Sequence, residues 1–305
     1  MPALSYSSDR GASILAQASV ALIFFASPAS AQVQHEVTLE GSFAGTPINE
    51  SSGVAVSRSH PGVLWTHNDS GSDPLIFAML HSGELIAVFD VTGAEAEDWE
   101  DIALGPCPEI SGDCLYIADT GNNRLRRRRV SLYIFPEPDP NTGSPDSTVR
   151  TARAQLVEFR YGDRGSYDVE AMAVSPEGNV SLVTKGRTGS ILHFVLEKSE
   201  FAENPAEARL IGQLPILPVR NLGRWVTGAA ISPSGERVVV RTLTELFFFA
   251  REGENWSLDS PSCWLGTLEP QGEAVDFLDE RTVIITSESV LTRPGTIHRI
   301  SCHPG

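Results

Sequence analysis

The chain lacks the features that announce a familiar catalyst. It has no His-Glu-x-x-His helix, no Gly-x-Ser-x-Gly elbow and no phosphate-cradling glycine loop. Its four cysteines include no Cys-x-x-Cys pair and have no histidine at ligand spacing, which argues against a structural zinc site. Beyond the first thirty or so residues, no apolar run approaches the roughly 20 residues needed to span a bilayer. Positive charge is scarce: 23 Lys and Arg stand against 39 Asp and Glu, a formal net charge of −16. So acidic a chain is a poor partner for nucleic acid or an anionic membrane. It suits an exported soluble protein, and it suits cation binding.

The N-terminus reads as a processing signal. Asp9 and Arg10 precede an apolar run from Ile14 to Ala26, followed by Pro28-Ala-Ser-Ala-Gln32. A short apolar core ending in Ala-x-Ala is a secretory signal peptide, here residues 1–31, with an uncleaved anchor as the alternative. The rest, residues 32–305, fits a single domain that is periplasmic or extracellular and expected to be a monomer. An even number of cysteines in an exported chain reads as disulfides. Cys107 and Cys114 flank the turn-like Pro-Glu-Ile-Ser-Gly-Asp, which leaves Cys263 for Cys302.

One phrase recurs five times. It appears as Glu50-Ser-Ser-Gly-Val-Ala55, Asp98-Trp-Glu-Asp-Ile-Ala103, Asp168-Val-Glu-Ala-Met-Ala173, Val226-Thr-Gly-Ala-Ala-Ile231 and Gln271-Gly-Glu-Ala-Val-Asp-Phe277. Each copy opens a small-apolar strand and is followed by further strand-like runs. Repetition of this kind is the signature of an all-β propeller. Five blades are expected. Six remain the alternative, because the interval from Glu100 to Glu170 is long, but its Pro/Asp/Ser-rich stretch 136–148 reads as a surface loop. The fifth copy lacks an outer strand, and His35–Phe43 is the spare one. It is expected to close the ring, since an open ring leaves unpaired edges.

The register sets Ser52, Glu100, Glu170, Thr227 and Glu273 at equivalent positions. The first and second strands of a blade are antiparallel, so the strand-ending residues Asp69, Asp119, Lys185, Arg241 and Glu288 belong to the same mouth of the channel. Asp98 and Glu100, like Asp168 and Glu170, are two apart and point the same way in an extended segment. Such carboxylates suit calcium, magnesium or manganese. Glu100, Glu170, Glu273, Asp69 and Asp119 are the candidate ligands. In a catalytic version Glu170 is the candidate general base, with Lys185 and Arg241 stabilising negative charge. The bland alternative is that each acid caps backbone N–H groups of a neighbouring blade. Likewise Trp65, Trp99 and Trp225 read as core or blade-interface residues, His193 as packed or surface-exposed, and the basic run Arg124–Arg129 as a solvated loop.

Trp65-Thr-His-Asn-Asp-Ser-Gly71, Asp98–Ala103, Tyr116-Ile-Ala-Asp-Thr-Gly-Asn-Asn123 and Asp168–Ala173 together resemble bacterial secreted propellers grouped with the esterase-like and phytase-like propellers. Asp119-Thr-Gly-Asn-Asn-Arg124 resembles the strand-ending phrase of NHL-type propellers, and the strand-opening Glu resembles the metal-bearing Glu of gluconolactonase-like propellers. Ser52 and Thr227 depart from that pattern, and the dense Asp runs of phytases are absent. The resemblance implies a propeller fold and a metal-bearing mouth. The expected function is binding of a divalent cation and hydrolysis of a small anionic or ester-bearing ligand: an ester, lactone or phosphoester. The alternative is a non-catalytic scaffold for a ligand or a protein partner.

Overall fold

In the computed structural model, which describes residues 34–219 and 223–303 together with Met1 and Ala3, every copy of the phrase becomes the first strand of an antiparallel four-stranded unit. Apart from those two residues, the expected signal peptide lies outside the described residues, while Gln32–Gly305 form one compact unit. The chain enters through β1 (Gln34–Ser42). The first unit is β2 (Ser51–Val56), β3 (Val63–Asn68), β4 (Leu75–Leu80) and β5 (Leu85–Asp90). The second takes β6 (Trp99–Pro106), β7 (Asp113–Asp119) and β8 (Val130–Pro136); after an excursion carrying the short β9 (Thr148–Arg150), β10 (Gln155–Tyr161) completes it. The third is β11 (Val169–Val174), β12 (Val180–Thr184), β13 (Leu192–Leu196) and β14 (Ala206–Gln213). The fourth is β15 (Val226–Ile231), β16 (Arg237–Thr242), β17 (Glu245–Glu252) and β18 (Asn255–Leu258), with β19 (Cys263–Trp264) on the near end of β17. The fifth is β20 (Gln271–Phe277), β21 (Thr282–Glu288) and β22 (Thr296–His303), and β1 is its outer strand.

The innermost strands β2, β6, β11, β15 and β20 stand side by side in that order, and β20 returns to β2, so the ring is closed. This is a β-propeller. β1 pairs antiparallel with β22, from Gln34 opposite His303 to Ser42 opposite Thr296, which joins the two ends of the described chain in one unit and covers an edge. The apolar residues fall into five clusters, and each spans two neighbouring units. Small Ala and Val side chains on the inner strands let the sheets converge, while aromatics such as Trp65, Phe89, Phe194 and Phe249 fill the widening wedge between them.

The units are also laced at their outer edges. Stretch 136–148 is more than a loop: it makes a 3-10 turn at Pro140–Thr142 and runs into β9, which pairs in parallel with β5 of the first unit. β5 would otherwise present free backbone groups, and a short strand arriving from the second unit satisfies them. β10 pairs in parallel with β14 over three residues, tying the second unit to the third. The two disulfides are Cys107–Cys114 and Cys263–Cys302, with Cα separations of 4.9 and 6.2 Å. The first clips the β6–β7 hairpin. The second staples the fourth unit to the fifth.

Candidate metal centre at the channel mouth

The repeated phrase has a structural meaning that its letters do not display. In all five inner strands the ladder slips by one residue at the same place, a β-bulge, and the unpaired residue is Ser52, Glu100, Glu170, Thr227 or Glu273. A bulge bends its strand and re-aims one side chain. Five aligned bulges therefore turn five polar side chains toward one end of the channel. Toward the other end, residues of all five inner strands, Val54, Ile102, Ala173, Ala230 and Val275 among them, line a space of about 10 Å³ together with Arg58 and Asp276. That is barely room for one water.

Two of the five bulge residues make interblade bonds. Ser52 Oγ donates to the carbonyl of Glu100 at 2.9 Å, and Thr227 Oγ1 to that of Gly272 at 3.2 Å. The glutamates are placed differently. Oxygens of Glu100, Asp168 and Glu170 lie within 4.8 Å of one another, and all three residues are buried. Oxygens of Asp69, Asp98 and Glu100 form a second such group, nearer the surface. Among the described residues, Glu170 Oε1 and Asp168 Oδ2 are buried with no hydrogen-bond partner. Lys185 Nζ sits 2.6 Å from Glu170 Oε2, and Arg187 Nε is 3.5 Å from Asp168 Oδ2.

The strand-ending phrase Asp119-Thr-Gly-Asn122 is the scaffold of this cluster. Asp119 accepts from the backbone N–H groups of Glu97 and Asp98 and from Arg127 Nη2 at 2.7 Å, so it holds Asp98 in place rather than joining either group. Thr120 Oγ1 donates to the carbonyl of Val169, beside Glu170. The backbone N–H of Asn122 donates to Asp168 Oδ1 at 2.8 Å, which aims the other oxygen at Glu170. The Asn122 amide in turn gathers the backbone of Arg126, Arg127 and Tyr167. Arg127 thus turns inward, while Arg124, Arg126, Arg128 and Arg129 are exposed, as a solvated loop requires.

The remaining sequence candidates are divided. Glu273 is buried at its bulge and takes a bond from Gln271 Nε2 at 2.8 Å, and the same amide reaches Glu288, so these acids adjoin the cluster without entering either three-oxygen group. Arg241 is fully buried, paired with Glu269 and donating to the carbonyls of Ala274 and Thr286. That places it between the fourth and fifth units as a structural tie. The Glu269 partner had no signal in the sequence, because it lies outside the repeat. Trp65, Trp99 and His193 are buried, and Trp225 is half-buried.

The electrostatics follow from this geometry. Burial, then the neighbouring charges of Glu170, Asp69 and Asp98, holds the Glu100 carboxyl well above the usual range. Burial also raises Glu170, to about 8, against the pull of Lys185, and raises Asp98 to about 6, aided by Asp69. The Lys185 ammonium is disfavoured by burial, but Glu170, Glu100 and Glu273 more than offset this and hold its pKa up. A mouth of this kind stores repulsion that a hard cation relieves.

No protein-family model matches the chain, and no curated protein matches its sequence. Solved structures do match in fold. The soluble aldose sugar dehydrogenase of Escherichia coli in the apo form is similar with a TM-score of 0.52 at 11% identity, over 88% of this chain and 100% of that one. The PQQ-bound aldose sugar dehydrogenase of Streptomyces coelicolor is similar with a TM-score of 0.51 at 11% identity, over 88% and 99%. At this identity the likeness is one of fold, that of a β-propeller, and a fold does not carry an activity with it.

Proposed function

We propose that this chain is an exported, five-bladed propeller that holds a divalent cation at its acidic mouth and uses it to bind a small oxygen-rich ligand. An ester, lactone or phosphoester fits that description, and hydrolysis is the reaction that such a site suits. The observation that carries the reading is the trio Glu100, Asp168 and Glu170, buried, with oxygens within 4.8 Å of one another, in which Glu170 Oε1 and Asp168 Oδ2 are buried without hydrogen-bond partners. An ion bonded at about 2.3–2.6 Å to each of three oxygens needs about that spread. Two disulfides support export, since such bonds persist in oxidising compartments. No helix among the described residues is long and apolar enough to cross a membrane.

A bound cation supplies Lewis acidity toward a carbonyl or phosphoryl oxygen and acidifies a bound water. The chain's own residues do the rest. Glu100, Asp168 and Glu170 hold the ion. Lys185 keeps Glu170 oriented and provides positive charge beside any developing oxyanion. Glu288, burial-raised to about 8 and part-exposed at the rim, is better placed than Glu170 to exchange a proton with a ligand, because Glu170 is already held by Lys185.

Pyrroloquinoline quinone, the PQQ of the Streptomyces structure, does not fit these residues. It carries three carboxylates, whereas the mouth offers Asp69, Asp98, Glu100, Asp168, Glu170, Glu273 and Glu288 against Lys185 and Arg187, each already ion-paired. Like charge disfavours direct contact with a polyanion.

The test is calorimetric titration of calcium, magnesium and manganese into the mature protein, followed by a panel of simple esters, lactones and phosphoesters with the tightest ion. The expected result is binding tighter than millimolar and turnover of one ester class that chelation abolishes. If none of the ions binds, the carboxylates are interblade caps and a non-catalytic scaffold is the better reading.

A further inference from the structure

Two groups of donor oxygens share one residue. Glu100 belongs both to the buried group with Asp168 and Glu170 and to the shallower group with Asp69 and Asp98. Building on the cation-binding reading, we propose that the mouth is a two-ion centre in which the Glu100 carboxylate bridges an inner and an outer divalent cation.

Three observations carry it beyond the clustering of acids. First, Glu100 is 4% exposed, and its carboxylate has no hydrogen-bond or ion-pair partner among the described residues, although it sits at the bulge that aims it into the mouth. A buried carboxylate left without donors is costly unless something else occupies that position. In the inner group Glu170 Oε1 and Asp168 Oδ2 are likewise buried without hydrogen-bond partners. Second, Gly121 makes room for the approach of Asp98 to Glu100. A Cβ at Gly121 would lie 2.0 Å from Glu100 Oε1 and 2.5 Å from Asp98 Oδ2. Its backbone is outside the left-handed region, so space, not conformation, calls for glycine here. The juxtaposition of these two carboxylates is thus built into the strand end. Third, the charge balance calls for more than one ion. The seven carboxylates of the mouth against Lys185 and Arg187 leave a formal −5, which one divalent ion takes to −3 and a second to −1. Two ions are needed before the repulsion toward an anionic ligand is nearly cancelled.

The two positions differ in depth. The inner ion is enclosed by three buried side chains. The outer one, held by the half-buried Asp69 and Asp98, keeps an open side. A carboxylate-bridged pair about 3.5–4 Å apart can clamp two oxygens of one ligand, so phosphoesters are the ligand class that this geometry favours over simple esters. The inner ion is expected to bind first and more tightly.

The experiment is manganese titration of the mature protein, read by calorimetry for stoichiometry and by electron paramagnetic resonance for coupling. Two ions per chain, with an exchange-coupled signal at saturation, are expected. Asp98→Asn should leave one tight ion, weaken the second by about tenfold or more, and restore the signal of an isolated ion. Gly121→Ala should also abolish coupling by wedging Glu100 from Asp98, with circular dichroism checking its fold; Asp98→Asn carries the test if it does not fold. One uncoupled ion in the wild type overturns the bridged pair and leaves the single-ion reading standing; coupling that survives Asp98→Asn overturns the placing of the outer ion on Asp69, Asp98 and Glu100. No ion at all overturns both.

Discussion

Glu100 and Asp101 are neighbours in one strand, both buried, and their surroundings are opposite. Asp101 accepts from the backbone N–H of Ile102 at 2.9 Å and, across the blade junction, from that of Met172 at 2.8 Å. Asp276 does the same between the fifth and first units, accepting from Phe277 and Val56 at 2.7 Å each. These acids form a layer of staples below the mouth, where every negative oxygen meets a donor supplied by the fold. One residue earlier, Glu100 faces Asp98, Asp168 and Glu170, with Lys185 ion-paired to Glu170 and Arg187 to Asp168. Burial alone therefore does not separate structural acids from functional ones. The difference is whether the backbone supplies donors or the carboxylates are left facing one another.

The contrast can be broken by substitution. The largest effect is expected from Asp101→Ala, which leaves two buried N–H groups unpaired and should cost roughly 3 kcal/mol in urea unfolding, with no change in cation affinity. A near-neutral result would mean that the staple layer is dispensable. Glu100→Gln should act in the other direction. Without added cation it removes repulsion and should stabilise by about 1 kcal/mol at pH 8, while cation binding collapses. Destabilisation on that change would show Glu100 to be a cap like its neighbour.

The pH dependence sharpens the same comparison. Asp98 and Glu170 titrate at about 6 and about 8 in the fold, above their ordinary 3.8 and 4.5. A raised carboxyl pKa means the folded state holds its proton more tightly than the unfolded chain. That stability is complete below the ordinary values and is lost as pH rises through the folded ones. With chelator present, stability should fall between about pH 4 and pH 8, and saturating calcium should flatten the fall. Denaturant midpoints across that range check it; a rise with pH would contradict the assignment. The smallest effect is expected from Lys185→Met. Removing an ammonium 2.6 Å from Glu170 should tighten cation binding by about fivefold, as about 1 kcal/mol of lost repulsion supplies, and should weaken any anionic ligand. Calorimetry on the variant decides; weaker cation binding would mean that the orienting of Glu170 by Lys185 outweighs its repulsion of the ion.

The repeat alone determined much of this molecule. Small-apolar strands opened by a polar residue can only be half of a sheet interface, so a ring of sheets follows from the sequence, as does the need for His35–Phe43 to supply the missing edge. The carboxylates at spacing two, Asp98 with Glu100 and Asp168 with Glu170, were legible for the same reason, as was the cysteine pairing from turn residues and elimination. Tertiary structure decided what those letters could not encode locally. A bulge is a property of a pair of strands, so no single strand reveals that Glu100 is aimed into the channel while Asp101 reaches the next blade. Asp119 and Arg241 look like mouth residues in a linear reading. They became supports only because Arg127 and Glu269, distant in character from the repeat, arrive beside them in the fold. Likewise stretch 136–148 holds no strand pattern of its own, and β9 forms because the open edge of β5 is waiting for it. Period and polarity are carried by neighbours in the chain; the partner that satisfies a buried charge is carried by neighbours in space.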